Sequence, residues 1–122
     1  MPTIVKSEYV AALSAAERLL AAITQAVRAR VTAAGSIDAA QAEAHGLAWI
    51  ATYVEALRQM LAWAYRLDEQ NRLGEIEQLI LQIGFSEYLA QIPGGIAMSQ
   101  GEIARAGQIG ASGADIGIYM DA

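Results

Sequence analysis

The stretch between residues 38 and 69 carries apolar side chains on two neighbouring stripes of an α-helix. The first stripe consists of Leu47, Ile50, Val54, Leu57, Leu61 and Ala64. The second, displaced by about 100° around the helix axis, consists of Trp49, Tyr53, Ala56, Met60, Trp63 and Leu67. A helix that is apolar over so much of its circumference has more than one packing partner. We therefore expect this helix to lie at the centre of a bundle or to contact another subunit.

Two further stretches show helical periodicity. Between about residues 7 and 34 one apolar stripe precedes Gly35, a residue suited to end a helix, and contains Tyr9, Leu13, Ala16, Leu20, Ile23 and Val27. Between about residues 72 and 92 the apolar residues occupy two faces, with Ile76, Ile80 and Ile83 on one and Leu81, Phe85, Tyr88 and Ile92 on the other. Gly84, in the interior of this third helix, predicts the close approach of another backbone, because glycine costs about 1 kcal/mol in a helix relative to alanine.

The composition agrees with these patterns. Hydrophobic residues make up 55% of the 122 residues and aromatic residues only 7%, a difference filled largely by alanine, the strongest helix former. The sequence therefore predicts an all-α fold, an antiparallel helical bundle of three main helices at about 7–34, 38–69 and 72–92. Asp38 and Gln41 have the spacing of a capping box for the second helix.

The segment QIPGGIAMSQGEIAR, at residues 91–105, interrupts the helical pattern. Pro93 is expected to end the third helix. Ser99 and Glu102 have capping-box spacing, which predicts a short fourth helix at about 100–106. We interpret residues 1–106 as a helical bundle domain, and residues 107–122 as an irregular, glycine-rich tail or a linker to a missing downstream domain.

Several function classes are disfavoured by charge and composition. The net charge is −5 and the eight cations are scattered, whereas a nucleic-acid-binding protein needs a basic face. The chain has no cysteine, which removes disulfides, thiolate metal sites and cysteine nucleophiles. The N-terminus does not resemble a secretory signal, and no apolar run reaches the roughly 20 residues of a transmembrane segment. We expect a cytoplasmic protein without a transmembrane segment.

No residue pattern points to catalysis. The glycines of residues 91–105 follow a helix and lack the Lys-Ser/Thr pair of a phosphate-binding loop. His45 is the single histidine, and stacking on Trp49 is a better account of it than metal or base chemistry. The closest carboxylates, Glu75 with Glu77 and Asp68 with Glu69, point to different helix faces. We therefore assign no catalytic, cofactor-binding or metal-binding residue.

A set of large aromatic and methionine side chains is the most informative feature that remains. At helical spacing such residues are usually core, yet tryptophan and tyrosine are also enriched at protein interfaces. Both roles stay open for the residues that we select as a candidate interface, which are Trp49, Tyr53, Met60, Trp63, Phe85 and Tyr88. The partner would be a second copy in a homo-oligomer or the rest of the same enzyme.

Two strings, AHGLAWIATYVEALRQMLAWA at 44–64 and LGEIEQLILQIGFSEYLAQIPGGIAMSQGEIAR at 73–105, resemble the N-terminal helical extension of some bacterial acyl-CoA dehydrogenases. That resemblance covers about half of the chain and no catalytic motif. It implies that the chain is a fragment of a flavoprotein that uses FAD to oxidise acyl-CoA thioesters, and that this part acts in oligomerisation or domain docking. The alternative is an autonomous helical module that binds a partner helix or a lipid-like ligand.

Overall fold

A computed structural model describes residues 5–99 and 102–121, and within these the side chains other than those of 97–99 and 102. The main helices are α1 (Ser7–Ala34), α2 (Gln41–Glu69), α3 (Glu75–Gly94) and α4 (Gly113–Asp121). A two-stranded antiparallel ladder of β1 (Ile96–Ser99) and β2 (Glu102–Ala104) lies between α3 and α4. Two 3₁₀ turns, Asp38–Ala40 and Ala106–Gln108, precede α2 and follow β2.

The core lies between the three long helices, as the apolar stripes predicted. Helix α1 contributes Leu19, Ile23 and Val27, α2 contributes its first stripe, and α3 contributes Leu81, Phe85 and Ile92. Within the described ranges no polar or charged side chain is fully buried. The prediction of an all-α helical bundle is confirmed.

Helix α1 has the predicted bounds. It ends at Gly35, which has a φ of 84° and whose N–H donates to the carbonyl oxygens of Val31 and Thr32. By length and hydropathy alone α1 is also a candidate membrane span, contrary to the expectation that no such segment exists. One such helix is weak support for a span, because a core helix of a soluble protein and a signal sequence near the N-terminus have the same length and hydropathy.

The predicted capping box at the start of α2 is wrong. Residues 38–40 form a 3₁₀ turn, and α2 begins at Gln41 without a side-chain cap hydrogen bond. Because Asp38 lies in this turn, its carboxylate faces the Gln41 side chain, at 3.5 Å from Nε2, and does not reach a backbone N–H of the first helical turn.

The predicted short helix at 100–106 is also wrong, since residues 102–104 form β2 and 106–108 form a 3₁₀ turn. The spacing of Ser99 and Glu102 therefore does not cap a helix; residues 100 and 101 lie outside the described residues. The ladder pairs Ile96 with Ala104 and buries both against the bundle. Gly46 of α2 permits this approach, because a Cβ there would lie 3.0 Å from Ile109 and 3.7 Å from Ala104.

The C-terminal tail is helical rather than irregular. Helix α4 has a capping box of its own, in which Ser112 N–H donates to Asp115 Oδ2 (3.0 Å) and Asp115 N–H donates to Ser112 Oγ (3.1 Å). These two bonds supply acceptors for backbone donors that a short helix otherwise leaves unpaired. The sequence signal was present, since Ser-Gly-Ala-Asp has the required spacing.

Helix α4 is attached to α3 by a hydrogen bond that Pro93 makes possible. Helix α3 continues two residues beyond its predicted end, so Pro93 lies in its last turn. Proline has no N–H to donate to the carbonyl four residues earlier, which belongs to Leu89. The Tyr119 hydroxyl donates to that carbonyl oxygen at 2.6 Å. Pro93 thus leaves a carbonyl available to a side chain from α4, and Tyr119 is buried in reaching it.

Removing this hydroxyl is expected to destabilise the protein. In Tyr119→Phe the Leu89 carbonyl loses its donor in a partly buried place, so the free energy of unfolding should fall by about 1 kcal/mol. Urea denaturation followed by circular dichroism measures this change. Tyr65→Phe, at an exposed tyrosine of α2, is the matched control and should leave stability unchanged; equal stabilities of the two variants would contradict the role of Tyr119.

Alkaline pH should weaken the same contact. Burial raises the pKa of the Tyr119 hydroxyl above its ordinary value, which is about 10 in an unfolded chain. A folded-state pKa that is raised gives a contribution that is complete below pH 10 or so and is lost as the pH rises further. The stability difference between wild type and Tyr119→Phe should therefore shrink between pH 8 and pH 11, whereas a constant difference would exclude this linkage.

Candidate functional site

The six candidate interface residues lie on α2 and α3, where these helices face each other and α1. Phe85 belongs to the core, with 2% of its surface exposed, and meets the ring of Tyr9 edge to face at a centroid distance of 5.0 Å. The other five, Trp49, Tyr53, Met60, Trp63 and Tyr88, are half-buried and pack against the core. The contacts described for these six residues all lie within the chain. Their role in an interface between chains remains a prediction.

Tyr53 and Tyr88 join α2 to α3 through stacked rings. The ring centroids are 4.5 Å apart with an interplanar angle of 27°. The Tyr53 hydroxyl donates to Gln91 Oε1 at 2.9 Å, so the polar end of the ring also has a partner on α3. Paired aromatic rings of this kind contribute beyond their buried area, and the contact fixes one side of the seam between the two helices.

Gly84 accommodates a side chain rather than a backbone. A Cβ at this position would overlap the terminal methyl group of Met60 and lie 2.8 Å from its sulfur. The prediction of close contact at Gly84 is therefore right, but the partner differs from the expected backbone. The reason is the length of the methionine, whose flexible thioether fills the space that glycine leaves between α2 and α3.

His45 and Trp49 form a hydrogen bond and do not stack. Trp49 Nε1–H donates to His45 Nε2 at 3.1 Å, and the rings are inclined by 59° with centroids 6.5 Å apart. Because the indole N–H must point along the ring plane at the imidazole lone pair, the face-to-face arrangement expected from the sequence is excluded. His45 is exposed, as expected.

The side of α3 that faces away from the bundle is apolar and uncovered. We call it the outer face of α3, and it comprises Ile76 (70% exposed), Leu79 (49%), Ile80 (49%) and Ile83 (62%). The sequence placed three of these residues on one stripe of the third helix, but the candidate interface did not include them. Their period was the available signal: the four recur at helical spacing on the side opposite Leu81, Phe85 and Ile92.

The charged groups with perturbed pKa values join α1 to α2 at the surface. Arg58 of α2 forms ion pairs with Glu17 of α1, at 3.0 Å, and with Glu55. A hydrogen bond from Gln59 at 2.8 Å lowers the pKa of Glu55, and the positive charge of Arg58 adds to this effect. The hydrogen bond to Glu17 raises the pKa of Arg58. All of these groups are solvated, so the cluster orients two helices and does not suit acid–base chemistry.

Two apolar grooves accompany the bundle. One, of about 630 Å³, is bounded by α1, the end of α3 and α4, and its lining includes Ala12, Leu89, Pro93, Ile116 and Met120. The other, of about 600 Å³, lies between the end of α1 and the start of α2 and includes Val27, Val31, Ile37 and Leu47.

Both grooves are mainly apolar, and the second also has Thr24, Arg28 and Thr32 in its lining. A flavin dinucleotide needs hydrogen-bond partners for its pyrophosphate and ring nitrogens, and the linings are largely alanine and branched aliphatic side chains. Among residues 5–99 and 102–121 no group of three or more histidine, aspartate or glutamate side chains is placed to hold a metal ion.

Comparison with known proteins supports the resemblance found in the sequence. The chain is 53% identical over 104 residues to the (2S)-methylsuccinyl-CoA dehydrogenase of Cereibacter sphaeroides, an acyl-CoA dehydrogenase. The match takes in 81% of this chain and 19% of that protein, so it spans about a fifth of the relative's length. No protein-family model and no solved structure matches the chain.

The contact between Gly84 and Met60 predicts non-additive mutational effects. Gly84→Ala should stabilise α3 by about 1 kcal/mol in a Met60→Ala background, where only helix propensity acts. In the wild-type background it should stabilise less, because the methionine has to move. A double-mutant cycle by urea denaturation measures the coupling, which we expect to exceed about 0.5 kcal/mol. Gly117→Ala, where a Cβ meets open space, is the control and should be additive with Met60→Ala.

Proposed function

We propose that this chain is a non-catalytic helical module of an acyl-CoA dehydrogenase-like protein. The observation that carries the proposal is the 53% identity with a fifth of such an enzyme. The site geometry agrees with it, because both grooves are lined mainly by apolar side chains and the surface ion pairs are solvated. Such a module acts by packing rather than by chemistry.

The role we propose is oligomerisation or docking onto the rest of the same polypeptide. Helix α3 presents Ile76 and Ile83 to solvent with more than half of each side chain exposed. An exposed, contiguous apolar surface is a common mark of a contact site. The half-buried aromatic residues on α2, among them Trp49 and Trp63, would offer their exposed edges to a separate contact at the seam between α2 and α3.

In this proposal the chemistry belongs to the remaining four fifths of the longer protein. That part would bind FAD and oxidise an acyl-CoA thioester, and the name of the relative points to a methylsuccinyl-CoA substrate. Residues 107–122 would connect the bundle to it, with α4 docked on α1 and α3 before the chain continues. We propose a cytoplasmic location for the whole protein.

A second candidate function follows from the groove between α1, α3 and α4. Its volume of about 630 Å³ falls in the range of small-molecule sites, and its lining suits an aliphatic chain or the apolar face of a helix. As an autonomous binding module the chain would carry a lipid-like ligand there. Co-purified lipid, detected by mass spectrometry of the extracted protein, would favour this function over the first.

The first proposal is tested by the reading frame and by the chain alone. Several hundred codons of an acyl-CoA dehydrogenase body should follow residue 122 in the gene. The 122-residue chain should be helical by circular dichroism, should unfold cooperatively, and should show neither flavin absorbance nor turnover of (2S)-methylsuccinyl-CoA. The longer protein, purified in parallel, is the control that should show both; a stop codon after Ala122, or turnover by the short chain, would contradict the proposal.

A further inference from the structure

Helix α4 runs along α1 in the opposite direction. Just before α4 begins, the chain touches the second half of α1, where a Cβ at Gly110 would overlap the Cβ of Ala26. Near the end of α4, Met120 lines a groove together with Ala12 and Ala15, which belong to the first half of α1. The chain therefore passes from the level of Ala26 back towards the N-terminus of α1 as it follows α4.

Helices α1 and α3 run in the same direction and leave a groove between them, which we call the α1–α3 groove. Tyr9 meets Phe85 at its floor. One turn later along both helices, Ala12 and Leu89 line the apolar groove of about 630 Å³ described above. On the other side of the ring contact, a cavity of about 220 Å³ lies between Tyr9 and Gln82. The α1–α3 groove thus extends on both sides of the contact between the two rings.

Helix α4 covers one end of this groove and points along the rest of it. It is fixed there by the Tyr119 hydroxyl, which donates to the Leu89 carbonyl oxygen at 2.6 Å. Asp121, the last described residue, is still helical. Because α4 runs towards the N-terminus of α1, a continuation of the helix would pass over Phe85 and then Gln82. The position and direction of α4 are therefore those of the first turns of a fourth bundle helix.

We propose that, in the longer protein, α4 continues as this fourth helix and that the segment directly after residue 122 fills the α1–α3 groove. Ten residues of α3 separate Leu89 from Leu79, which lines the far end of the groove. That distance is about 15 Å at 1.5 Å per residue, so about ten more helical residues cover it. The four helices then alternate in direction, as in an up-down-up-down bundle. The proposal rests on the proposed function, because only a longer protein supplies the segment.

A segment attached to α4 is favoured over a separate occupant of the groove. It is tethered at the groove entrance, so it binds at a high effective concentration, whereas a free ligand or a second copy loses translational and rotational freedom on binding. Helix α4 has only nine residues, and adding residues to an existing helix avoids the cost of nucleating a new one. A lipid-like ligand, the second candidate above, would compete with this helix for the same groove.

The orientation of α4 sets the sequence pattern expected after residue 122. Tyr119 is buried and Ile116 is partly buried against the bundle, whereas Ile118 is 61% exposed. We expect apolar residues to recur after Tyr119 at alternating steps of three and four, with polar residues in phase with Ile118. The downstream codons show this directly. A proline or a glycine-rich stretch within about the first ten residues, or apolar residues out of this phase, overturns the proposal.

Photocrosslinking in the longer protein identifies the occupant. The photoreactive residue p-benzoylphenylalanine replaces Gln82, an exposed residue at the far end of the groove. After irradiation and proteolysis, mass spectrometry should find it joined to the segment within about 15 residues after residue 122. The same replacement at Gln25, an exposed glutamine on another side of α1 from Ala12, is the matched control and should give no such product. Circular dichroism confirms that both proteins fold.

Each other result of the crosslinking contradicts the proposal. A product that joins position 82 to the dehydrogenase body, to residues 1–4 or to a second copy identifies a different occupant. Equal yields from positions 82 and 25, or no product with any segment of the protein, indicate that the groove stays open.

These outcomes are separate from those of the proposed function. If a dehydrogenase body follows residue 122 but the predicted helix and its crosslink are missing, the function stands and the fourth helix is wrong. If the helix is present and crosslinks to position 82 but no dehydrogenase body follows it, the fourth helix is right and the assignment to that enzyme fails.

Discussion

The need to cover α2 determines the arrangement of the chain. Two apolar stripes on one helix cannot be buried by a single neighbour. In the structure α1 covers the first stripe, α3 takes the side with Tyr53 and Met60, and the ladder of β1 and β2 closes the start of α2 at Gly46. Each of these neighbours packs against an apolar part of α2 that the other two leave uncovered. The bundle is therefore organised around its second helix rather than around a symmetric three-helix core.

The last turn of α3 then determines where the chain goes next. Pro93 removes one backbone donor from the helix, and the Leu89 carbonyl accepts the Tyr119 hydroxyl instead. Gly95, with a φ of 120°, turns the chain into β1. A residue that predicts only a helix end thus also creates the attachment point for α4, some thirty residues later in the sequence.

The sequence predicted the long helices, whose apolar patterns extend over many residues. It did not predict the short segments that follow Pro93. The bounds of α1 followed from its stripe and from Gly35, and α2 and α3 were located to within a few residues. Beyond Pro93 the segments are short, and Ser99–Glu102 and Ser112–Asp115 have the same capping spacing. Only one of them caps a helix, because burial of Ile96 and Ala104 against the bundle favours a strand pair at the other. Spacing alone does not contain that tertiary contact.

The choice of candidate interface residues was limited in a similar way, because the sequence alone does not show which apolar face the fold leaves uncovered. The residues selected from the sequence are mainly aromatic ones at the seam between α2 and α3, and in the structure they pack within the chain. The uncovered residues are aliphatic ones on the opposite side of α3. Helix α3 is apolar on two faces, a property of helices with more than one packing partner. The bundle supplies such a partner on one side only. The other side, with Ile76, Leu79, Ile80 and Ile83, stays uncovered, because no other element of the bundle packs there in the described part of the chain.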